Sequence, residues 1–267
     1  MNPYEQTLQL LLADSLQFDR NAVKAAGLRL REVRLAIADT VLRAGGFERQ
    51  NVMAIRRGLL EVFERFERDM CDAMRVQVAR GWEAGRRLVD EPFREHGIHL
   101  AAMPQEHLAA LELVQWYVAD LLVNFTHTAS KRVNGTLMRG LIANKSARMI
   151  MRELDKLFAG RRKGLIFELQ RIVRTELNGV INLAMQDRLL QAGRLTKDLK
   201  KYWIGSQHRN GKHGIVEAST HPMKGGLPIA FDKYFLVGGK KVFGPHDPRL
   251  HVGHKINCAC RMGYLIG

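Results

Sequence analysis

Histidine and cysteine, the side chains best suited to transition metals, gather in the last sixty residues. Six of the ten histidines lie beyond residue 207, and His251, His254, Cys258 and Cys260 form a His-x2-His-x3-Cys-x-Cys run. Soft ligands at this close spacing suit Zn²⁺, which would stabilise a small module with little core. The Cys-x-Cys spacing is shorter than the Cys-x2-Cys of zinc fingers. Two hypotheses follow: a structural zinc site, or two buried strand cysteines with solvent-facing histidines.

The same stretch contains the residue types of a metal-dependent nuclease of the His-Asn-His kind. Such a site needs a histidine base, an asparagine that orients it and a metal-binding histidine. His213, Asn257 and His221 would supply these three types. However, no helix is predicted after the C-terminal hairpin to complete the arrangement, and no paired acidic motif accompanies it. Phosphate-binding loops, dinucleotide fingerprints and serine-nucleophile motifs are also missing from the sequence, so a non-enzymatic protein is the favoured interpretation.

Excess positive charge is the strongest signal in the composition. Lys and Arg number 42 against 27 Asp and Glu, which gives a formal net charge of +15 and a pI of about 10.1. A field of this sign attracts polyanions, nucleic acid in particular. No recognition-helix motif surrounds the basic runs, so they predict contacts with phosphates and not with bases. The predicted phosphate-contact residues are Arg161, Arg162, Lys163, Lys197, Lys200 and Lys201.

Apolar residues repeat at three, four and seven positions through the first two hundred residues, as they do on one face of a helix. Such stripes occupy 23–41, 59–78, 108–125, 137–157 and 165–184. Gly45-Gly46 separates the first two stripes, and a turn at 160–164 separates the last two. The spacing predicts long helices that pack in a bundle.

After residue 195 the sequence changes to short strands and turns. Residues 200–204 predict a strand, and 231–237 with 240–243 predict a hairpin, because Gly238-Gly239 permits a tight turn. The alternating residues 256–266 predict a final strand. The predicted fold class is therefore α+β. A long helical region at 1–136 and further helices at 137–195 precede a basic, β-rich module at 196–267.

Cysteine usage and hydropathy indicate the compartment. Cys71, Cys258 and Cys260 cannot all pair within one chain, which favours a reducing environment. The N-terminus lacks a basic segment followed by an apolar one, so no signal peptide is predicted. No apolar stretch approaches the ~20 residues needed to span a bilayer. We therefore expect a soluble protein without a membrane span.

Landmarks in the second half of the chain follow an order that resembles a known family. A helix with Arg174-Thr175-Glu176 precedes a Lys-x-Trp strand at Trp203, and a Gly-Pro-x-Asp turn at Asp247 precedes an Ile-Asn-Cys-x-Cys segment. This series resembles the minor head protein, or head morphogenesis protein, family of tailed bacteriophages, to which the F protein of phage Mu belongs. The resemblance covers about residues 137–262. The residues that match the family motifs are Arg174, Glu176, Trp203, Arg209, His213, Asp247 and Asn257.

The resemblance implies a low-copy structural protein of the virion, made in the host cytoplasm and incorporated inside the capsid near the portal vertex. Its implied partners are the portal protein, packaged double-stranded DNA and other head or scaffold proteins, with the helices of 1–136 docking on the portal. Its implied role is head assembly together with DNA packaging or ejection. Two acidic positions of the family are replaced here, by Ser206-Gln207-His208 and by His254, which favours structure over catalysis.

Two alternatives use the same residues differently. One is a metal-dependent nuclease or toxin domain that is packaged with the DNA and depends on His213. The other is a sequence-independent DNA-binding protein unrelated to virions, which the charge alone would explain. Portal association and DNA cleavage distinguish the three.

Overall fold

Helices occupy most of the chain, and short strands follow them near the C-terminus. The structure, a computed structural model, describes residues 3–46, 48–101, 106–159, 163–196, 198–204, 228–256 and 258–267. The long helices are α1 (Pro3–Arg43), α2 (Val52–Glu95), α3 (Glu106–Ile142), α4 (Ala147–Ala159) and α5 (Leu165–Ala192). They are followed by β1 (Lys200–Ile204), β2 (Ile229–Ala230), β3 (Phe235–Val237), β4 (Lys240–Val242), α6 (Val252–Lys255) and β5 (Arg261–Leu265). The predicted α+β class is confirmed.

The chain divides into two compact units, and each is assembled from separate stretches. Unit 1 contains Met1–Asn21, Gln77–Val114 and Arg174–Gly267, and unit 2 contains Ala22–Val76 and Gln115–Val173. The division differs from the contiguous segments 1–136, 137–195 and 196–267 expected from the sequence. The reason is length: α1 has 41 residues and is therefore ~60 Å long, so a single helix contributes to more than one core. The β-rich module shares unit 1 with parts of α1, α2 and α5.

Unit 2 is a helical bundle in its described part. The apolar stripes predicted at 23–41 and 59–78 supply its buried faces, with Leu30, Ile37 and Leu59 almost completely buried. Ion pairs join helices at the rim, as between Arg34 Nε and Asp155 Oδ1 at 2.6 Å. Such half-exposed pairs contribute about 0–1 kcal/mol each, so apolar burial is the main source of stability.

The stripe at 137–157 forms two helices instead of one. Asn144 adopts a left-handed backbone with φ of 49°, and Ser146 begins α4 by accepting a hydrogen bond from Met149 N at 3.4 Å. Serine and asparagine favour helix ends because their side chains bond to the backbone. Leu137 and Leu141 therefore belong to α3, whereas Ile150 and Leu154 are buried residues of α4.

Unit 1 contains a three-stranded antiparallel sheet in the order β2-β1-β5. In β1, Lys201 is opposite Tyr264 and Trp203 is opposite Met262. These four side chains are buried. The Tyr264 hydroxyl donates a hydrogen bond to the Leu88 carbonyl of α2 at 2.8 Å, which ties the strand to a helix of the same unit.

The predicted hairpin is present as β3 and β4. Val237 is paired with Lys240, so the loop has two residues, and Gly238 and Gly239 have φ of 56° and 76°. Positive φ at both positions is the geometry of a type I′ turn, which glycine adopts without strain. Residues 231–234, predicted as strand, form a turn instead, with Lys233 N bonded to the Ala230 carbonyl at 3.0 Å.

The last predicted strand is shorter than expected, and a one-turn helix lies between the hairpin and this strand. The sequence predicted no helix after the hairpin and a strand over 256–266. The structure has α6 at Val252–Lys255 and β5 at Arg261–Leu265. Asparagine 257, the residue required by the nuclease hypothesis, lies outside the described residues.

Helices α2 and α5 approach each other closely within unit 1. A Cβ at Gly85 would overlap the Ile181 carbonyl oxygen and would lie 2.8 Å from the Ala184 Cβ. Only glycine permits this distance between helices. Within the described residues, none of the helices combines the length and apolar character needed to cross a membrane.

Candidate functional site

The motif residues that the structure describes all lie in unit 1. Arg174 and Glu176 are on α5, Trp203 is on β1, and Asp247 is in the turn after β4. The other motif residues, Arg209, His213 and Asn257, lie outside the described residues, as do His208 and His221. We therefore define the candidate site as the surroundings of α5 and β1 in unit 1.

A row of amide side chains on α5 holds the β-rich module. Asn182 Nδ2 donates to the Cys260 carbonyl at 3.0 Å, and Gln186 Nε2 donates to the Pro245 carbonyl at 2.7 Å. Asn178, one turn earlier, accepts a hydrogen bond from the Arg261 guanidinium. Residues four apart share one helix face, so this α5 amide row (Asn178, Asn182 and Gln186) satisfies buried polar groups that would otherwise cost free energy.

Arg261 brings a positive charge into the interior of unit 1. Its side chain is 1% exposed, and its Nε lies 3.4 Å from Ser15 Oγ of α1. Burial lowers the pKa of Arg261 to about 10, although the nearby carboxylate of Asp19 opposes the shift. The guanidinium is therefore still charged at neutral pH, and its fork of donors joins α1, α5 and the strand that carries it.

Sequence reasoning missed both the amide row and Arg261. A usable signal was present in three amides spaced by four on an otherwise apolar helix face. An arginine in a predicted strand gives no comparable indication of burial, because arginine side chains are usually exposed. Only the packing of three chain segments shows that this arginine is buried.

Lys201 was predicted to contact phosphate, and the structure contradicts this. Its side chain is 0% exposed, and its Nζ lies 3.2 Å from the ring centroid of Phe243. The rings of Phe231 and Phe235 are each 5.4 Å away. Burial lowers the pKa of Lys201 to about 7, despite the opposing charges of Asp232 and Asp247. An ammonium inside a ring of aromatic faces is a core group and is not available to DNA.

The other predicted phosphate-contact residues are either exposed or outside the described residues. Lys163 and Lys200 are exposed, as a contact with a polyanion requires. Arg161, Arg162 and Lys197 lie outside the described residues. Lys163 and Lys200 belong to different units.

Asp247 organises the turn after β4. Its carboxylate accepts hydrogen bonds from Phe243 N at 2.7 Å, from Arg249 N at 2.9 Å and from Arg249 Nη2 at 2.6 Å. Burial raises the pKa of Asp247, but the hydrogen bonds from Arg249 and Phe243 outweigh it, so the net pKa is below its ordinary value. The acceptor capacity is used within the turn, which fits a structural role for this motif residue.

Glu176 is the motif residue with the clearest titration behaviour. It is half-buried on α5, and burial raises its pKa to about 7, with the positive charge of Lys255 on α6 opposing the shift. A carboxyl group that titrates near neutrality is a common feature of functional sites, although structural groups also show it. Arg174, two residues earlier, provides its carbonyl to Asn178 Nδ2 at 2.8 Å.

Trp203 is a core residue of the same module. Its side chain is completely buried, and its ring meets the edge of Phe235 with centroids 5.5 Å apart at 84°. Edge-to-face pairs of this kind stabilise by about 0.5–1.5 kcal/mol beyond burial. The Lys-x-Trp motif therefore supplies two buried side chains: Lys201 lies among the rings of Phe231, Phe235 and Phe243, and Trp203 packs against Phe235.

The predicted zinc ligands are not grouped as a metal site in the described structure. No three His, Cys, Asp or Glu side chains among the described residues could hold one ion. His251 caps α6 by accepting from Gly253 N at 3.1 Å, and the side chains of Cys258 and Cys260 are buried. The hydrogen bond with Cys260 and burial raise the pKa of Cys258, which disfavours the thiolate that zinc requires. Zinc binding at His251, His254, Cys258 and Cys260 stays a prediction.

No family model, curated protein or solved structure matches the chain. The order of the motifs, the charge and the contacts in unit 1 are therefore the features that bear on function. In those contacts Trp203 packs in the core and Asp247 bonds within its own turn, while the α5 amide row binds the carbonyls of Pro245 and Cys260.

Proposed function

We propose that this chain is a minor head protein of a tailed bacteriophage. In this proposal it lies inside the capsid near the portal vertex and binds both the portal protein and packaged double-stranded DNA. Its role is structural, in head assembly and in DNA packaging or ejection. The observation that carries the proposal is the ordered motif series from Arg174 to the Cys-x-Cys segment, together with the net charge of +15.

The contacts in unit 1 support a structural role for the motif. Trp203 is buried, and the Asp247 carboxylate accepts hydrogen bonds from residues of its own turn. Glycine 244 of the Gly-Pro-x-Asp turn lies against Gln186 of the α5 amide row. A motif whose members join a helix to a β-rich module is explained by the stability of that module, without catalysis.

The charge supports binding to DNA without sequence recognition. An enclosed, basic protein gains affinity from counterion release at phosphates, and this affinity falls steeply with salt. Lys163 and Lys200 are the exposed residues among the members of the predicted set that the structure describes. Replacing both with glutamine should reduce the slope of log K against log salt by about two. Lys24→Gln combined with Arg57→Gln, at two exposed positions outside the set, is the matched control for two lost charges.

Virion fractionation tests the proposal directly. Purified particles should contain the chain in a few to tens of copies, and particles assembled without the portal should lack it. Co-expression with the portal protein of the same phage should yield a complex that survives gel filtration. Detection of the chain only in host cytosol, with no portal complex, would overturn the proposal.

A cleavage assay addresses the alternative nuclease function. The full chain is incubated with plasmid DNA and either Mg²⁺ or Zn²⁺, beside the His213→Ala variant. The structural role predicts intact plasmid with both proteins. Cleavage by the wild type that the variant has lost would favour the packaged nuclease instead.

A further inference from the structure

A small polar pocket in unit 1 lies outside all the motif residues. It has a volume of about 200 Å³ and is lined by the last turns of α2, the segment 98–101 that follows, and α5. Its charged or polar lining residues are Arg86, Asp90, Arg94, His99 and Arg188. We call this the arginine pocket. Arg86, Asp90 and Arg94 are spaced by four, so they share one face of α2.

Two of its guanidinium groups are held in place by one carboxylate. Asp90 bonds to the Nε of Arg188 and to the Nη2 of Arg86 at 3.3 Å. The Arg188 side chain is 3% exposed, and its Nη1 also donates to Gln191 Oε1 at 2.5 Å. A guanidinium that is already oriented and desolvated loses little entropy when it binds a further group.

The third guanidinium supplies the excess charge. Arg86 also pairs with Glu83 at 3.1 Å, so the carboxylates of Glu83 and Asp90 balance two of the three arginines. Arg94 forms no ion pair with any carboxylate in the part of the chain that the structure describes. Its side chain is exposed, as is that of His99. Among the described residues, one net positive charge with donors from three arginines therefore faces the pocket.

We propose that the arginine pocket binds a phosphate group, with Arg94 as the cation that recognises it. Guanidinium groups bind phosphate oxygens through paired, charge-assisted hydrogen bonds. The volume accommodates a phosphate together with part of an ester substituent. The phosphate can come from a small molecule or from a nucleic acid backbone, and both offer the same oxygens. This assignment does not rest on the proposed portal association.

Calorimetric titration of the full chain with inorganic phosphate at low ionic strength tests the proposal. Saturable binding to one site is expected, and Arg94→Gln should weaken it by about tenfold or more. Arg57→Gln removes the same charge from an exposed position of α2 in unit 2, and it should leave the affinity within about twofold. Arg94 is exposed, so circular dichroism should show both variants folded.

Two further titrations identify the class of ligand. Acetate should bind much more weakly than phosphate, because it is a monoanion with two oxygens. Duplex DNA is titrated in the same way. If the ligand is a nucleic acid backbone, phosphate should compete with DNA for the site, and Arg94→Gln should lower the slope of log K against log salt by about one. If Arg94→Gln loses phosphate binding but binds DNA as the wild type does, the ligand is a small molecule. Either the DNA result or the small-molecule result supports the phosphate site.

The proposal is overturned by any of three results. These are the absence of saturable phosphate binding, equal affinities for the Arg94→Gln and Arg57→Gln variants, and acetate binding as tight as that of phosphate. None of them bears on the portal complex, which is measured separately.

Discussion

Replacing Lys201 with methionine should stabilise the protein at pH 6. The amine is 0% exposed and surrounded by the rings of Phe231, Phe235 and Phe243. Methionine has a similar length, contains no charge and packs well against aromatic rings. Asp247 keeps its hydrogen bonds from Arg249 in the variant, so the substitution leaves that buried carboxylate paired.

The magnitude follows from the pKa of the lysine. A change from 10.5 to about 7 corresponds to about 5 kcal/mol of cost for holding the ammonium in the folded state. Cation–π attraction between the ammonium and the ring faces offsets about 2 kcal/mol of this cost at a desolvated site. We therefore expect Lys201→Met to raise the free energy of unfolding at pH 6 by about 3–5 kcal/mol.

The pH dependence has a definite sign. Between pH 7 and 10.5 the unfolded chain holds a proton at this lysine that the folded chain has released. The wild type therefore gains stability as the pH rises through this window. The cost is fully present below about pH 7 and is lost by pH 10.5, so the advantage of the variant should shrink over the same range.

Urea unfolding followed by tryptophan fluorescence measures this difference at pH 6 and at pH 10. Lys200→Met, an exposed neighbour on β1, is the control and should change stability by less than about 0.5 kcal/mol. Lys201→Arg should be strongly destabilised at both pH values, because the guanidinium cannot lose its proton. A Lys201→Met variant less stable than the wild type at pH 6, or a difference independent of pH, would refute the reasoning.

Three other substitutions test the packing and the charges of unit 1, and one of them has a control in α3 of unit 2. Gly85→Ala should destabilise by about 2–3 kcal/mol, because its methyl would overlap a backbone carbonyl of α5. The control is Gly135→Ala in α3, where the added methyl group meets only the flexible end of an arginine side chain. This variant should be neutral or more stable by up to about 1 kcal/mol. Equal melting temperatures for the Gly85→Ala and Gly135→Ala variants would contradict the close approach of α2 and α5. Asn182→Ala should cost about 1–3 kcal/mol in urea unfolding, since the buried carbonyl before β5 loses its donor, and an unchanged midpoint would show that the amide row is not needed. Glu176→Gln should match the wild type near pH 4.5 and exceed its melting temperature at pH 8, because a raised carboxyl pKa lowers the stability of the folded state progressively between pH 4.5 and about 7, and the full loss is present above that pH; a lower melting temperature at pH 8 would show that the carboxylate is stabilising.

The local elements were largely predictable from the sequence. The stripes at 23–41 and 59–78 became buried helix faces, and Gly238-Gly239 became the turn of the hairpin. These features depend on residue spacing and on backbone freedom within a few positions. Asn144 and Ser146 are an exception: apolar periodicity continued across them, but local backbone bonding ended one helix and began another.

The candidate site was predictable only in part. Its motif order, charge and residue types were all readable, and Trp203 and Asp247 lie in one unit as the motif order suggested. The roles of individual residues were not readable. Lys201 and Lys200 are adjacent and identical in type, yet one is buried among aromatic rings and the other is exposed.

The sequence by itself determined the fold class, the helix faces, the hairpin and the net charge, because these depend on composition and on near neighbours. The tertiary structure alone decided which charges are buried, which segments share a unit, and that Arg188 of α5 meets Asp90 of α2. The two residues of that pair are 98 positions apart. The burial of a charge depends on every segment that packs around it, and the packing of distant segments has no local signature in the order of residues.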